Sequence, residues 1–279
     1  MEDSSKESQL PMSPPGTEQL FVIKIGGNVI DDETSLASFL DDVAGIKGKK
    51  ILVHGGGKIA SKIGAQLGIT PDYVNGRRIT DAATIDLVTM VYGGLVNKKI
   101  TAQLQARGTN AIGLTGADAN IIPAVKRPVK EIDYGFVGDV QQNKIAVERL
   151  VLLLENGLTP VFAPLTHDGN GQVLNTNADT IAAALAVALS TKYSVRLLYC
   201  FEKKGVLEDI GDDRSVITLI TKDIYAYLLD QHKLFDGILP KIDNAFAAID
   251  NGVHEVIIGH ASDLLQNVTE QIVGTLIVR

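Results

Sequence analysis

A chain of 279 residues with 45% hydrophobic side chains can bury a large core, as one large domain or as two tightly joined lobes. Its 33 acidic and 26 basic residues leave a net charge of −7, which supplies no global field toward nucleic acid or an anionic membrane and leaves small molecules as the default partners. The single cysteine, Cys200, cannot close an internal disulfide. The first residues lack the basic flank and apolar run of a secretory signal, and no stretch approaches the roughly 18 consecutive apolar residues of a membrane span, so a cytoplasmic protein is expected.

Residues 1–19 are rich in Ser, Glu and Pro, with Pro11, Pro14 and Pro15 spaced to block any helix, and read as a disordered tail. From Leu20 onward, short β-branched runs alternate with helical stretches, the pattern of an α/β sheet. Strands are expected at 20–25, 50–53, 111–114, 159–164, 194–200, 255–258 and 275–278, and helices at 33–44, 58–67, 81–106, 145–155, 179–189, 221–231 and 241–251. The glycine-bearing stretch 131–143 reads as a hairpin excursion. Cys200 fits a small apolar filler within its strand better than a nucleophile.

Two strand ends run into glycine clusters, Lys24-Ile25-Gly26-Gly27-Asn28 and His54-Gly55-Gly56-Gly57-Lys58. Ligands in α/β folds sit at such ends. Glycine lets bare main-chain N–H groups approach an anion, and a following helix N-terminus adds partial positive charge. Either cluster alone could be a tight turn; together they point to phosphate or carboxylate. Gly57-Lys58 is followed by isoleucine, so it is no P-loop, and no dinucleotide fingerprint follows a strand, which disfavours a nicotinamide dehydrogenase. The absence of a nucleophile elbow disfavours a serine hydrolase. Five histidines without metal-binding spacing disfavour a protein-built zinc site, and His54 fits packing and hydrogen bonding better than catalysis.

Four further segments carry chemistry. Asn75-Gly76-Arg77-Arg78-Ile79-Thr80-Asp81 places two arginines before a long helix capped by Thr80 or Asp81; an arginine here can grip a carboxylate with two prongs, and a solvated loop suits Arg77 better than Arg78. Asn175-Thr176-Asn177-Ala178-Asp179 opens an alanine-rich helix with more polar groups than a cap requires. Asp236 to Lys241 brings a lysine to a helix's first turn, where it opposes the dipole unless it faces an anion. Gly113 to Asp118 either lines a pocket or only turns the chain.

In their order and spacing these segments, with Tyr134 to Val140, resemble the N-acetylglutamate kinase branch of the amino acid kinase family, over nearly all of residues 20–279. The resemblance implies a three-layer αβα sandwich on a mainly parallel sheet. It implies a lobe at 20–190 for the amino-acid substrate and dimerisation, and a lobe at 191–279 for nucleotide. It implies ATP-dependent phosphorylation of the γ-carboxylate of an N-acylated glutamate, with Mg2+ as cofactor. Carried over by position, Lys24 and Lys241 neutralise the phosphoryl group in flight, and Asp179 holds both lysines. Gly56, Gly57, Arg78, Asn175 and Asn177 bind the acylglutamate; Gly26, Gly27, Glu202, Gly205 and Leu207 border the nucleotide. No protein metal ligands are implied. A carboxylate acceptor is already ionised at neutral pH, which accounts for the missing general base.

The sequence departs from this family at Cys200-Phe201-Glu202-Lys203-Lys204-Gly205, where Thr-Asp or Ser-Asp is usual, and either lysine could approach phosphate or be solvated. The proline-bearing tail cannot form the extra helix of arginine-inhibited hexamers, so a homodimer without arginine feedback is expected. Two rivals remain: a succinyl in place of the acetyl group, marked by a cationic or enlarged acyl pocket, and a catalytically silent amino acid or nucleotide sensor.

Overall fold

The computed structural model describes residues 18–74, 77–231, 233–234 and 238–279. The expected tail lies almost wholly outside the described residues, as do Asn75, Gly76, Asp236 and Gly237 of the expected motifs.

An eight-stranded sheet forms the middle layer, in the order Leu219–Ile220, Thr275–Ile277, Glu255–His260, Ser194–Phe201, Gln19–Ile25, Lys49–His54, Thr159–Phe162, Ala111–Leu114. All neighbours pair in parallel except Glu255–His260 with Thr275–Ile277. Strands drawn from before residue 190 lie on one side of the Gln19–Ile25/Ser194–Phe201 pairing, and those from after it on the other. The expected strands are all present; the two-residue edge strand Leu219–Ile220 is an addition.

Successive side chains of a strand point to opposite faces, and this chain fills both with apolar residues. Leu20, Val22, Ile51, Val53, Val195 and Leu197 enter one core, and Phe21, Ile23, Ile25, Leu52 and Leu198 the other. Each such side chain taken wholly from water stabilises the fold by about 1.5–3 kcal/mol. Helices Val147–Glu155, Ala178–Leu189, Lys222–Asp230 and Leu239–Asp250 bring side chains to the first core, and Glu33–Gly45 and the long helical run from Ala82 to Ala106 to the second. The result is the expected αβα sandwich. Side-chain caps fix several helix starts: Asp32 accepts from the Ser35 N–H at 2.7 Å, and Asp81, rather than Thr80, from the Thr84 N–H at 2.8 Å. The region read as a hairpin at 131–143 begins earlier, since Ala124–Lys126 pairs antiparallel with Gly138–Val140. The 81–106 helix is not uniform: Thr89–Val96 winds as a π-helix between Ala82–Val88 and Asn97–Ala106. Among the described residues no helix is long and apolar enough to cross a membrane.

Candidate active site

Register places the two glycine turns side by side. Ile25 pairs with His54 and also with Cys200, so three parallel strands end at one level. Gly26 is buried, and its N–H donates to the Cys200 carbonyl at 3.0 Å, so its donor is consumed by the fold. At Gly27 a Cβ would meet nothing within 4 Å. Packing does not demand glycine there, and the missing side chain leaves the main chain open to close approach. Gly56 has φ of +154°, and a Cβ on it would sit 3.0 Å from the Tyr92 ring.

The second turn is braced from beneath. His54 is fully buried; the Asn97 side-chain amide donates to its Nε2 at 3.1 Å and to the Val161 carbonyl at 2.8 Å. The proton of His54 therefore sits on Nδ1, which donates to the Gly55 carbonyl at 2.6 Å. Burial pushes the imidazole pKa down to about 4, against the Gly55 hydrogen bond and with the positive charge of Lys98. His54 is thus a neutral strut. Gly113 is tied to the same bracing, because any side chain on it would strike Asn97, Thr101 and Lys98. Thr115 N–H and hydroxyl both bond Asp118, so the 113–118 segment turns the chain.

A cleft of about 450 Å3 opens above these turns, and Gly56, Gly57, Arg78, Asn175, Asn177, Asp179 and Lys241 all line it. Arg78 is buried, whereas Arg77 is exposed. The Arg78 guanidinium lies over the Tyr73 ring at 4.9 Å; its Nη2 donates to the Gly57 carbonyl at 3.0 Å and to Ser61 Oγ at 2.9 Å. Its Nη1 is buried with no hydrogen-bond acceptor within reach, which leaves it a donor available to a ligand or water in the cleft. Asn175 donates to Thr80 Oγ1 at 3.0 Å. Asn177 is the helix cap, accepting from the Asp179 and Thr180 N–H groups, which leaves its amide donors free of that duty. Thr176 is buried against Thr166 and Gly138.

Lys24 does not line the cleft but pairs with Asp179, which does, at 2.9 Å, both partly exposed. Lys241 lies in the first turn of Leu239–Asp250, with its ammonium 5.9 Å from the Phe201 ring centre. Asp179 therefore holds Lys24 alone; no ion pair links it to Lys241 among the described residues. Beneath this pair lies Cys200, a buried free thiol pushed up to about 12 by burial, which matches a strand filler.

Gly205 and Leu207 are buried outside the cleft: a Cβ on Gly205 would lie 2.7 Å from Thr275 Oγ1 and 2.9 Å from Val216, so glycine is required there by packing. Glu202 is exposed, and Lys203 and Lys204 pair with Asp213 at 3.3 Å and Asp263 at 3.0 Å instead of standing free. The cleft also contains residues not singled out in the sequence, Tyr73, Tyr92 and Arg127. Only Tyr92 carried a signal, a lone aromatic in the aliphatic run Met90 to Val96.

The family model described as the amino acid kinase family matches residues 19–260. The chain belongs to the amino acid kinase family. Within the family it is 57% identical, over 90% of this chain and 96% of the relative, to an acetylglutamate kinase from Bacteroides thetaiotaomicron. It is 56% identical, over 94% of this chain and 99% of the relative, to one from Cytophaga hutchinsonii. Among solved structures, N-acetylglutamate synthase from Neisseria gonorrhoeae complexed with coenzyme A and N-acetyl-glutamate superposes with a TM-score of 0.77 at 24% identity, and shares the fold. That match covers 94% of this chain and spans 59% of the length of the synthase.

Proposed function

We propose that this chain transfers the γ-phosphoryl group of ATP to the γ-carboxylate of N-acetyl-L-glutamate, in arginine biosynthesis. The acetylglutamate kinases at 56–57% identity support the substrate. The observation that carries the reading is the buried, unpartnered Nη1 of Arg78, in the same cleft as Asp179 and Lys241. It offers a buried donor for one carboxylate in a cleft whose lining also carries the Lys241 cation for a phosphoryl group.

Arg78 and Asn175 hold the α-carboxylate, with Asn177 completing that corner, while the N–H groups of Gly56 and Gly57 meet the substrate. An ionised γ-carboxylate oxygen then attacks the γ-phosphorus; the new O–P bond forms as the bond to the β–γ bridging oxygen breaks, and ADP leaves with that electron pair. No proton has to be removed from an acceptor whose pKa is near 4.3. Catalysis reduces to positioning and charge stabilisation, supplied by Lys24, steadied by Asp179, and by Lys241. On the donor side Gly27 presents bare main chain to phosphate, with the exposed Glu202 beside the strand end. Gly26, Gly205 and Leu207 shape the turns that border the nucleotide. The donor set facing the phosphates is cationic, which suits magnesium carried in on the nucleotide's own oxygens, the habit of this ion in kinases.

Residues 20–190 form the acceptor lobe and 191–279 the nucleotide lobe of one continuous sheet. We place the enzyme in the cytoplasm, a setting supported by the buried free thiol and the biosynthetic relatives. A homodimer is part of the proposal, supported by Met90 and Leu95, large apolar side chains at least half exposed on the π-helical segment. Trapping of the acyl phosphate with hydroxylamine tests the activity. Hydroxamate should form with ATP and N-acetyl-L-glutamate together and with neither alone; ATP left intact at millimolar N-acetyl-L-glutamate would falsify it.

A further inference from the structure

We infer that the Tyr92 hydroxyl binds substrate, forming with Arg78 Nη1 a two-donor seat for the α-carboxylate, and that the π-helical turn exists to put it there. The inference rests on the reading of this cleft as the acylglutamate site.

Three observations meet at Tyr92. Its ring packs beneath Gly56, where a Cβ would stand 3.0 Å from Cδ1, and its hydroxyl lies 3.9 Å from the place of a Gly57 Cβ, at the wall of the cleft. The ring is buried, and its hydroxyl accepts a side-chain hydrogen bond from the Arg78 guanidinium, which leaves the hydroxyl's own proton to donate. Its neighbour is the Arg78 guanidinium, whose Nη2 is spent on Gly57 and Ser61 while Nη1 has no partner. Burial raises the phenol pKa, the guanidinium opposing, so at neutral pH the group is a donor. Two buried donors facing one cavity fit a single carboxylate.

The helix geometry serves this placement. The Asn97 N–H bonds the Tyr92 carbonyl, a hydrogen bond of five-residue span. In an α-helix, residues five apart point about 140° away from each other. The wider π winding turns both toward the His54–Gly57 loop, Tyr92 under Gly56 and Asn97 onto His54.

The test is Tyr92→Phe, which keeps the ring and should melt like the parent. Its KM for N-acetyl-L-glutamate should rise about tenfold or more, as for loss of a bond to a charged group, with kcat altered less than about threefold and KM for ATP unchanged. A substrate whose α-carboxylate is a carboxamide sharpens it. The parent should reject this analogue strongly, and the variant should reject it less, because one partner of the carboxylate is already gone. An unchanged KM, or equal rejection of the amide by both proteins, overturns the inference while leaving the activity standing. A parent that neither binds nor phosphorylates N-acetyl-L-glutamate overturns the functional reading, and the inference with it.

Discussion

The cleft and the 202–204 turn outside it are built to different standards of rigidity. On the acceptor side nearly every group is locked: His54 is wedged between Gly55 and Asn97, Arg78 between Tyr73, Gly57 and Ser61, and Asn175 on Thr80. On the proposed nucleotide side Glu202 is exposed, Lys203 and Lys204 are partly exposed and tied to surface aspartates, and Lys241, in the cleft lining, rests only near an aromatic ring. The difference teaches where specificity and motion divide. On the proposed reading a small amino acid meets preformed donors, whose reorganisation would weaken discrimination. The nucleotide's phosphates instead supply their own strong field and can gather loosely held cations as they arrive.

The sharpest way to break this contrast is to remove the charges that bridge it. Lys24→Ala and Lys241→Ala should each lower kcat by about two orders of magnitude or more, as for other single electrostatic donors. Their KM values for N-acetyl-L-glutamate should hold, because Arg78 and Asn175 remain. Normal turnover in either purified variant removes that lysine from the mechanism. Lys24→Ala should also free Asp179, its partner at 2.9 Å, so Lys24→Arg is expected to restore folding stability more than it restores turnover.

The locked side has its own signature in acid. The folded-state pKa of His54 is about 4, below its ordinary 6.5, so between these values the unfolded chain binds a proton that the native one does not. The contribution is fully present above pH 6.5 and is lost as pH falls toward about 4, a total of about 3 kcal/mol. Denaturant midpoints measured across that window should decline in the parent and decline less in His54→Gln. Parallel profiles would mean that His54 takes up its proton without unfolding.

Much of this was legible in the sequence, and the rest was hidden for physical reasons. The long strands announce themselves because both faces are buried and every position is apolar, as in Leu20 to Ile23; Leu219–Ile220 is too short to show a pattern. Arg78 was separable from Arg77, and Asp81 and Asn177 sit at recognisable cap positions. Glycines were ambiguous. Gly27 and Gly205 look alike in a chain, yet one has open space where a side chain would go and the other has Thr275 and Val216. Tyr92 and Asn97 could not be paired from spacing, since no composition rule distinguishes a π turn from the α-helix around it.

Arg78→Lys sharpens the acceptor side by a smaller step. A lysine keeps the charge but not the fork, so Gly57 and Ser61 lose their partner or the carboxylate does. KM for N-acetyl-L-glutamate should rise about tenfold, equivalent to about 1.4 kcal/mol, with KM for ATP constant. Equal rises in both constants would indicate a general loosening of the cleft.

The smallest effect is expected where the family pattern is broken. Lys204 is 45% exposed and paired with Asp263, whose side chain is 12% exposed, so the ion pair contributes less than about 1 kcal/mol after solvent screening. If Lys204 stays with Asp263 during turnover, Lys204→Ala should leave KM for ATP within about twofold and stability nearly unchanged. If ATP draws Lys204 away to its phosphates, that KM rises tenfold or more and Asp263→Asn lowers it, because the competing anion has been removed. The sign of the Asp263 effect therefore distinguishes a surface salt bridge from a reserve cation on the loosely built turn outside the cleft.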